Sequence, residues 1–518
     1  MQPYEPPHAE PSPRRLDPLL RPLALGIAFA FTFGAAAAAP RHASPLALDR
    51  LWADPRLLVP TALDPLGKAA LADEYGLEML LPADPRSTTS VANCNDSGAG
   101  SLRQAVLDTA SGGTVDLRGL SCSKITLTTG QIEISQASLI LIGDGRDVLT
   151  IANGNGTKYS NRIFNHTGTG TLIVEGMTVT GGVAAAPATG TSGNAFGGCI
   201  RSGGTVFLGN ALFPTARAYG VDVTNCRAIA VHSGGYDGYA EGGGVAAPQV
   251  VITHSRVSGC SLAGPAGSGA GIAASDRLAM LNSEVSGNTN PLGGKYSSGG
   301  ATGGYGETYD LILNSTISGN AGSNGGGLAS RREMVIRNST ISGNTASVSG
   351  GGIYSRGLGG VHLSVFNSTI TANRVTGDAG GGGLLATLDG FSAGTARLES
   401  TIIQGNFRGQ AIPDDVNGST AVFSGANNLV GVAVPQSPAL PPDTLIGIDP
   451  HLGPLTDNGG PTHTHRLRSD SQAIGLGNNV AGDDLDQRGP GFARVIGTRA
   501  DIGAVEFDPD RIFSNGFD

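Results

Sequence analysis

Apolar and polar residues alternate in short runs through the middle of this chain. Apolar residues stand two apart just before each copy of a recurring phrase, as in Val250 and Ile252, Leu278 and Met280, Met334 and Ile336, and Leu363 and Val365. A period of two indicates β-strands with one buried face. No helical periodicity in this part is long enough for βαβ crossovers, so the pattern predicts an all-β protein.

The recurring phrase is Asn-Ser-x-Ile-Ser-Gly-Asn. It starts at Asn282, Asn314, Asn338 and Asn367, with weaker copies at Gly220 and His254 and a stretched copy at Glu399. Copies are 24 to 34 residues apart, a spacing typical of solenoids whose units bury their apolar faces against one another. The fourth residue of each copy should be the next inward position after a bend: Val257, Val285, Ile317, Ile341 and Ile370.

Glycine triplets between copies mark a second corner, as at 242–244, 325–327, 350–352 and 381–383. Glycine accepts the positive φ of a tight corner, and an apolar residue then opens the next strand. The pattern therefore predicts a single right-handed parallel β-helix solenoid, with coils about 4.8 Å apart. We expect Asn282, Asn314, Asn338 and Asn367 to stack as an amide ladder.

The predicted organisation has five parts. Arg14, Arg15 and Arg21 precede an apolar run and a small-residue zone ending near Ala39, which is the pattern of a cleaved signal peptide. Ser101 and Gln104 have the form of a capping box, predicting a short N-terminal capping helix over 102–110. The predicted boundaries are a signal peptide 1–39, a linker 40–90 with a short helix near 66–80, a β-helix 91–430, a C-terminal segment 431–507 and a tail 508–518.

Composition and charge limit the partners and the cellular location that we expect. The net charge is −9 and no basic run occurs, so nucleic acid is not expected as a partner. We expect a monomer, exported to the cell surface or secreted, without a membrane span once the signal is removed. Five cysteines suit an oxidising compartment. Cys226 and Cys260 occupy the same seventh slot of consecutive copies and are predicted to pair, as are Cys94 and Cys122, which leaves the partner of Cys199 open.

The residues also resemble a known group of proteins. The run from Cys94 to Ala105 resembles the start of many secreted bacterial β-helix proteins, and the repeat resembles the pectate-lyase-like superfamily and polymorphic outer-membrane proteins. The segments 449–465, 486–489 and 501–506, together with Arg494, resemble the choice-of-anchor Q domain. This resemblance implies an exported Gram-negative β-helix and supplies no catalytic residues. One departure is Ala473-Ile-Gly475, where the family usually has Ala-Ile-Asp.

Candidate catalytic and metal-binding groups are sparse, because charged residues make up only 14% of the chain. Charged residues are most frequent in the solenoid at positions such as Asp222 and the run from Arg331 to Glu333. No register of the repeat places two acidic residues above one another in neighbouring coils. His463 and His465 have the spacing of a metal pair, yet they lie in a segment that resembles a structural motif. No cofactor or metal is predicted, and no catalytic residue is assigned.

The best predicted site is a set of tyrosines and acids in two long loops near one corner of neighbouring coils. Insertions of this kind gather on one face of a solenoid, often the binding face. The predicted site residues are Tyr236, Asp237, Tyr239, Glu241, Tyr296, Tyr305, Glu307 and Tyr309. We therefore expect a structural or adhesive surface protein that binds an extracellular glycan or a cell surface. The alternative is a carbohydrate-active enzyme, a polysaccharide lyase or a glycoside hydrolase.

Overall fold

The computed structural model describes residues 87–156, 161–186, 193–209, 220–231, 238–291, 299–300, 302–304, 309–357, 360–377, 380–388, 394–418, 421–433 and 439–510. Its strands wind into a parallel β-helix. In a typical coil the chain runs along Leu328–Ser330 and Glu333–Arg337 on face A, Thr340–Ser342 on face B and Thr345–Ser349 on face C. Each strand pairs in parallel with its equivalent in the preceding coil. The predicted signal peptide, most of the linker with its helix, and the end of the tail lie outside the described residues.

Face A is a 20-stranded sheet that receives one long or two short strands from most coils. Its strands are Thr88–Ser90, Thr114–Asp116, Ile132–Ile134, Leu139–Ile142, Phe164–His166, Thr171–Glu175, Ile200–Ser202, Thr205–Leu208, Val245–Thr253, Ile272–Leu281, Thr302–Gly304, Tyr309–Leu313, Leu328–Ser330, Glu333–Arg337, Ile353–Gly357, Gly360–Phe366, Leu384–Leu388, Gly394–Glu399, Val416–Gly418 and Ala421–Ala426. The first strand begins inside the predicted linker, three residues before the predicted start of the β-helix.

Face B is a 12-stranded sheet with one strand from each coil. Its strands are Lys124–Leu127, Thr150–Asn153, Met177–Thr180, Val221–Thr224, Arg256–Ser258, Glu284–Ser286, Thr316–Ser318, Thr340–Ser342, Thr369–Thr371, Ile402–Gln404, Leu429–Val430 and Leu445–Ile446. Face C is built from smaller sheets. Its strands are Val183–Ala185, Ala195–Phe196, Arg227–Ile229, Tyr239–Glu241, Ser261–Ala263, Ala266–Ser268, Ala321–Asn324, Thr345–Ser349, Arg374–Val375, Phe407–Arg408 and Ile412–Pro413.

The interior contains the main apolar core that the alternation predicts, and a smaller alanine-rich cluster lies beside it along face C. The fourth residues of the repeat stack in register along face B and are fully buried: Val257, Val285, Ile317, Ile341 and Ile370. The face A pairs that precede them, such as Met334 and Ile336, join the same core. Each coil thus buries its apolar side chains against its neighbours, which is how solenoids are stabilised.

The polar ladder runs through the seventh residue of the repeat, so the ladder predicted for the first residue is wrong. The Nδ2 of Asn344 donates to the Oδ1 of Asn373 at 2.9 Å and to the carbonyl of Ile317 at 2.9 Å. The same amide bonds link Asn288 to Asn320, Asn320 to Asn344 and Asn373 to Asn406. The first asparagines, such as Asn282 and Asn314, instead adopt positive φ near 48° at the corner between faces A and B, which asparagine tolerates better than most residues.

The disulfides follow the same geometry. Cys94 pairs with Cys122 as predicted. The predicted bond between Cys226 and Cys260 is wrong, because Cys226 pairs with Cys199 and Cys260 is a buried free thiol. Burial raises the pKa of the Cys260 thiol to about 12.

The glycine corners explain this pairing. The third glycine of a corner lies against the seventh-slot side chain of the same cross-section, as Gly327 does against Asn344 and Gly352 against Asn373. A Cβ added to either glycine would come within about 3 Å of that amide. Cys199 stands where these corners have the third glycine, so its sulfur meets the seventh-slot residue, which there is Cys226.

The only helix in the described part of the chain is short. It spans Leu102–Asp108, two residues less than predicted, and Ser101 is its N-cap, accepting the Gln104 N–H at 3.2 Å. Leu102, Ala105 and Val106 are buried and belong to the main core. The N-cap bond of the predicted capping box therefore forms, but the Gln104 side chain donates to the Asp108 Oδ1 at 2.8 Å and does not return to Ser101. The helix packs its apolar side onto the first coils. Within the described residues, no helix has the length and hydropathy of a membrane span.

The chain from 447 to 510, called here the C-terminal region, folds back along the outside of face B. It forms few strand pairs and contacts the first position of successive face B strands. Four side chains at this position form hydrogen bonds with the C-terminal region: Glu284 with His463, Thr316 and Thr340 with Gln487, and Thr369 with Ala504. The variable third residue of the repeat phrase is therefore a docking position.

Candidate functional site

The predicted tyrosine site is only partly described. Five of its predicted members lie outside the described residues, so their grouping stays a prediction: Tyr236, Asp237, Tyr296, Tyr305 and Glu307. The three described members are Tyr239, Glu241 and Tyr309.

These three residues lie on two faces. Tyr239 and Glu241 flank the inward, fully buried Ala240 in the face C strand Tyr239–Glu241 and therefore point outward. Tyr309 begins a face A strand instead, where the Arg277 Nη2 donates to its hydroxyl at 2.9 Å and the guanidinium lies 4.9 Å from its ring centroid. Of the described members, only Tyr239 and Glu241 share a local surface.

A row of polar side chains lies beside this face C strand, on the neighbouring edge of face A. Glu133, Asn165 and Arg201 are paired in register in three successive coils. Their neighbours Ile132, Phe164 and Ile200 are fully buried, so the alternation turns the three polar side chains outward. The Asn165 Nδ2 donates to the Glu133 Oε2 at 2.6 Å.

A second arginine approaches this row from the preceding loop. The Arg162 Nε donates to the Phe196 carbonyl at 2.9 Å, and its Nη1 donates to the Gln131 Oε1 at 3.1 Å. Burial and the positive charge of Arg201 lower the pKa of Arg162 to about 10, while the negative charge of Glu133 opposes this shift. The two guanidinium groups and one carboxylate therefore interact electrostatically at one place.

An aromatic ring joins the row to face C. The Arg201 guanidinium lies 5.7 Å from the Phe196 ring centroid, within cation–π range. Phe196 pairs in register with Glu241 in the next coil. Burial raises the pKa of the half-buried Glu241 carboxyl, so this group keeps its proton to a higher pH than a solvated glutamate. We call these side chains the corner cluster, which consists of Glu133, Arg162, Asn165, Phe196, Arg201, Tyr239 and Glu241.

The corner cluster has groups suited to a saccharide. Guanidinium groups bind carboxylates and hydroxyls through several directed N–H groups, and aromatic rings offer apolar contact area beside polar tips. Arg162 and Arg201 were missed because a single sequence does not show which coil positions meet at a corner. Aligning the glycine corners would have helped, because Arg201 occupies the outward position that Ala246 and Ala273 fill in the following coils.

The charged residues considered from sequence have structural partners instead. Asp222 lies 3.3 Å from both Arg146 and Arg256. Arg332 forms a 2.8 Å ion pair with Asp310, and both side chains are buried inside the coils. Burial raises the pKa of Asp310, and the Arg332 charge partly offsets this. These pairs stabilise the solenoid from inside or along face B, away from the corner cluster.

The two histidines also have separate structural contacts. The His463 Nδ1 lies 2.6 Å from the Glu284 Oε1, whereas the His465 Nε2 lies 2.9 Å from the Ser342 hydroxyl and its Nδ1 lies 2.7 Å from the Gly453 carbonyl. Each ring thus ties the C-terminal region to the coils or to itself. The described residues contain no group of three or more histidine, cysteine or acidic side chains placed to hold a metal.

Comparisons with known proteins add little to this geometry. No protein-family model and no curated protein sequence matches the chain. Among solved structures, the crystal structure of pectate lyase Pel9A is similar to it at 13% sequence identity and a TM-score of 0.40, over 83% of this chain and 99% of that chain. At this identity and TM-score the likeness assigns neither a substrate nor a reaction.

Proposed function

We propose that this protein is an extracellular or surface β-helix with a structural or adhesive role, which binds a glycan through the corner cluster. The observation that supports this most is the outward row of Glu133, Asn165 and Arg201 with Arg162 and the Phe196 ring beside it. The row is built on rigid sheet edges, so its donors and acceptors are held in place without a ligand.

A carboxylated glycan fits this cluster better than a neutral one. Burial and the nearby positive charge of Arg201 lower the pKa of Arg162, and a ligand carboxylate near both guanidinium groups would relieve the repulsion between them. Arg201 is exposed and Arg162 half-buried, so a bound carboxylate would be partly shielded from water. Nucleic acid is a poorer fit, because the chain is acidic overall, with a net charge of −9.

Export belongs to the same proposal. Two disulfides are typical of oxidising, extracellular surroundings. The signal-like N-terminus and the resemblance of the C-terminal region to the choice-of-anchor Q domain suggest a secreted or surface-attached protein of a Gram-negative bacterium, with a right-handed coil and a helix that caps its N-terminal end. N-terminal sequencing of protein recovered outside the cytoplasm tests this, and an uncleaved chain retained in the cytoplasm would contradict it.

The binding experiment is a glycan array followed by titration with the best acidic ligand. Because charge-assisted hydrogen bonds contribute about 1.5–3 kcal/mol each, Arg162→Ala with Arg201→Ala should weaken binding at least about 100-fold. Arg118→Ala is the matched control, since the Arg118 side chain is about half-exposed and forms an ion pair with Asp116. Equal binding by the folded double variant and the control would reject the corner cluster as the site.

The second candidate is a lyase or hydrolase, favoured by one observation. Burial raises the pKa of the Glu241 carboxyl, so this group keeps its proton to a higher pH than a solvated glutamate, as a proton donor requires. A lyase also needs a positive group to stabilise the carboxylate of a uronate substrate. Incubation of the protein with uronate polymers, with detection of shortened or unsaturated products, tests this. Glu241→Gln should abolish turnover but retain binding, and wild-type protein that binds the polymer without cleaving it would restrict the function to adhesion.

A further inference from the structure

A row of three polar residues lies on the outer surface of face A, in the coils that follow the corner cluster. It consists of Arg277, Tyr309 and Glu333, which are half-buried, and we call it the outer polar row. The Arg277 Nη2 donates to the Tyr309 hydroxyl at 2.9 Å, and Tyr309 pairs in register with Glu333 in the next coil. Each is followed along its strand by a buried residue, which turns the row outward: Leu278, Asp310 and Met334.

The inward side of these coils breaks the apolar pattern of the core. Val250 and Leu278 pair in register and belong to the main core, as does Met334 two coils further on. Asp310 lies between them, because it pairs in register with Met334 and accepts the Leu278 N–H at 3.1 Å. The buried Arg332 forms an ion pair with Asp310. Apolar residues would avoid the desolvation cost of such a pair, and departures of this kind are expected at functional sites.

The buried ion pair holds the backbone behind the outer polar row. The Arg332 Nη2 donates to the Ala274 carbonyl at 2.9 Å, and the Ser330 hydroxyl donates to the Asp310 Oδ2 at 2.9 Å. These bonds join three successive coils, which are the coils that carry the outer polar row. The row is therefore fixed by the core and not by a ligand, as a preorganised site requires.

Two atoms of the outer polar row have no hydrogen-bond partner within the described residues. They are the Arg277 Nε and the Glu333 Oε1, and both are buried. Burial also raises the pKa of the Glu333 carboxyl, so this group keeps a proton to donate to a higher pH than a solvated glutamate. Buried polar groups without partners are uncommon and cost free energy. The ligand that satisfies this row therefore needs an acceptor for Arg277 and a hydroxyl for Glu333.

We propose that the outer polar row binds a hydroxylated carboxylate, the chemical class of a uronate sugar, at a site separate from the corner cluster. Arg277 binds the ligand carboxylate through its Nε, because guanidinium and carboxylate groups form charge-assisted hydrogen bonds. A hydroxyl of the ligand bonds to Glu333, and the Tyr309 ring between them gives apolar contact. The row spans about 10 Å from Arg277 to Glu333, two steps of the strand spacing. Binding here is independent of the function assigned to the corner cluster.

The fluorine signal of Tyr309 provides the readout. The protein is produced with fluorinated tyrosine, the signal is assigned through Tyr309→Phe, and a short uronate oligomer is titrated into the wild type. We expect the Tyr309 signal to shift on binding. Arg277→Ala and Glu333→Ala should each raise the Kd obtained from this titration by about tenfold or more, because each removes a hydrogen-bonding partner of the ligand.

Arg397→Ala is the matched control. Arg397 is also outward on face A, lies 5.3 Å from the centroid of the Phe366 ring and pairs with Glu399 at 2.9 Å. Its loss should leave the Kd unchanged. Arg277→Lys guards against misfolding, because it keeps the positive charge but loses the Nε donor, and it should also weaken binding about tenfold.

The corner cluster is tested apart from this site by Arg162→Ala with Arg201→Ala, in which the Tyr309 signal should still shift. Loss of the shift in that folded variant would overturn a separate site. So would a Tyr309 signal that does not respond to the uronate oligomer, or an equal response to a neutral hexose oligomer. Folded Arg277 variants that bind as tightly as Arg397→Ala would also overturn it.

Discussion

The coils and the C-terminal region are stabilised in different ways. The coils repeat the same contacts, an inward aliphatic row and, from Asn288 to Asn406, a seventh-slot amide that bonds to the next coil. The C-terminal region has few strand pairs and relies on ion pairs with little or no exposure. Arg488 pairs with Asp486 at 2.6 Å and Arg494 pairs with Glu506 at 2.7 Å.

The motif residues of the C-terminal region are therefore structural. Glu506 accepts N–H groups from Ile496 and Asp501 as well as Arg494, and Arg488 donates to the Glu506 carbonyl and stacks 4.1 Å from the Phe492 ring. Burial raises the pKa of Glu506, partly offset by Arg494. Many small contacts stabilise the coils, whereas the loss of one partner in this network leaves a buried charge unpaired.

The largest expected effect is in the coils. Ile341→Asp places a carboxylate in the stacked core row, where it has no partner, and should lower the free energy of unfolding by about 4 kcal/mol or more. Urea denaturation followed by circular dichroism measures this. Val348→Asp, on an outward and 41% exposed position of the next strand, should change stability little. Equal loss in both variants would contradict the core register.

The next effect should be confined to the C-terminal region. Glu506→Ala leaves the buried Arg494 guanidinium unpaired and should lower the local opening free energy by about 3 kcal/mol. Hydrogen exchange should then increase across 447–510 while the coil amides N-terminal to residue 284 stay protected. Asp470→Ala breaks an exposed pair with His451 and serves as control. Uniform deprotection of all coils would show that the two regions unfold as one unit.

A smaller effect is expected in the amide ladder. Asn344→Ala removes two donated bonds and leaves the Asn320 N–H without its 3.0 Å acceptor, so stability should fall by about 2 kcal/mol. The comparison is Asn282→Gly, at a corner with φ of 49°, where glycine fits and the change should be near neutral. A larger loss for Asn282→Gly would restore the first asparagine as the stabilising position.

The smallest effect concerns pH. Asp415 ends the ladder by accepting the Asn406 N–H at 2.8 Å and its Nδ2 at 2.7 Å, and burial raises the pKa of Asp415 from 3.8 to about 6. The pKa of Asp415 is higher in the folded protein than in the unfolded chain. The contribution of the protonated Asp415 carboxyl to stability is therefore complete below about pH 4 and is lost as the pH rises through 6. Denaturation from pH 4 to 7 should show this decline in wild type and in an Asp108→Asn control, but less of it in Asp415→Asn. Parallel curves for all three would contradict the assignment.

Much of the fold follows from local rules in the sequence. The phrase spacing and the period of two identify stacked coils and the inward rows at Val257 and Ile341, because only neighbouring copies can bury such short strands. Cys94 and Cys122 could be paired because they bracket the first strands. The N-cap at Ser101 follows from the residue types alone.

The candidate site was harder to predict, because it forms where residues from different faces meet. Tyr239 and Tyr309 look equivalent as loop tyrosines, yet one strand belongs to face C and the other to face A. Arg162 and Arg201 join Phe196 only because a corner brings two faces together. Loop lengths differ between coils, so one sequence does not show how each corner closes.

The sequence by itself thus determined the parallel β-helix, the inward rows and the docking of one coil on the next, because these depend on period and residue type. The tertiary structure decided which of two asparagines forms the ladder, that Cys226 bonds Cys199 rather than Cys260, and that the C-terminal region lies along face B. These pairings depend on which side chains meet inside a corner and on which outward row of face B contacts the C-terminal region. The distances between those side chains are set by how each coil closes and not by their spacing along the chain.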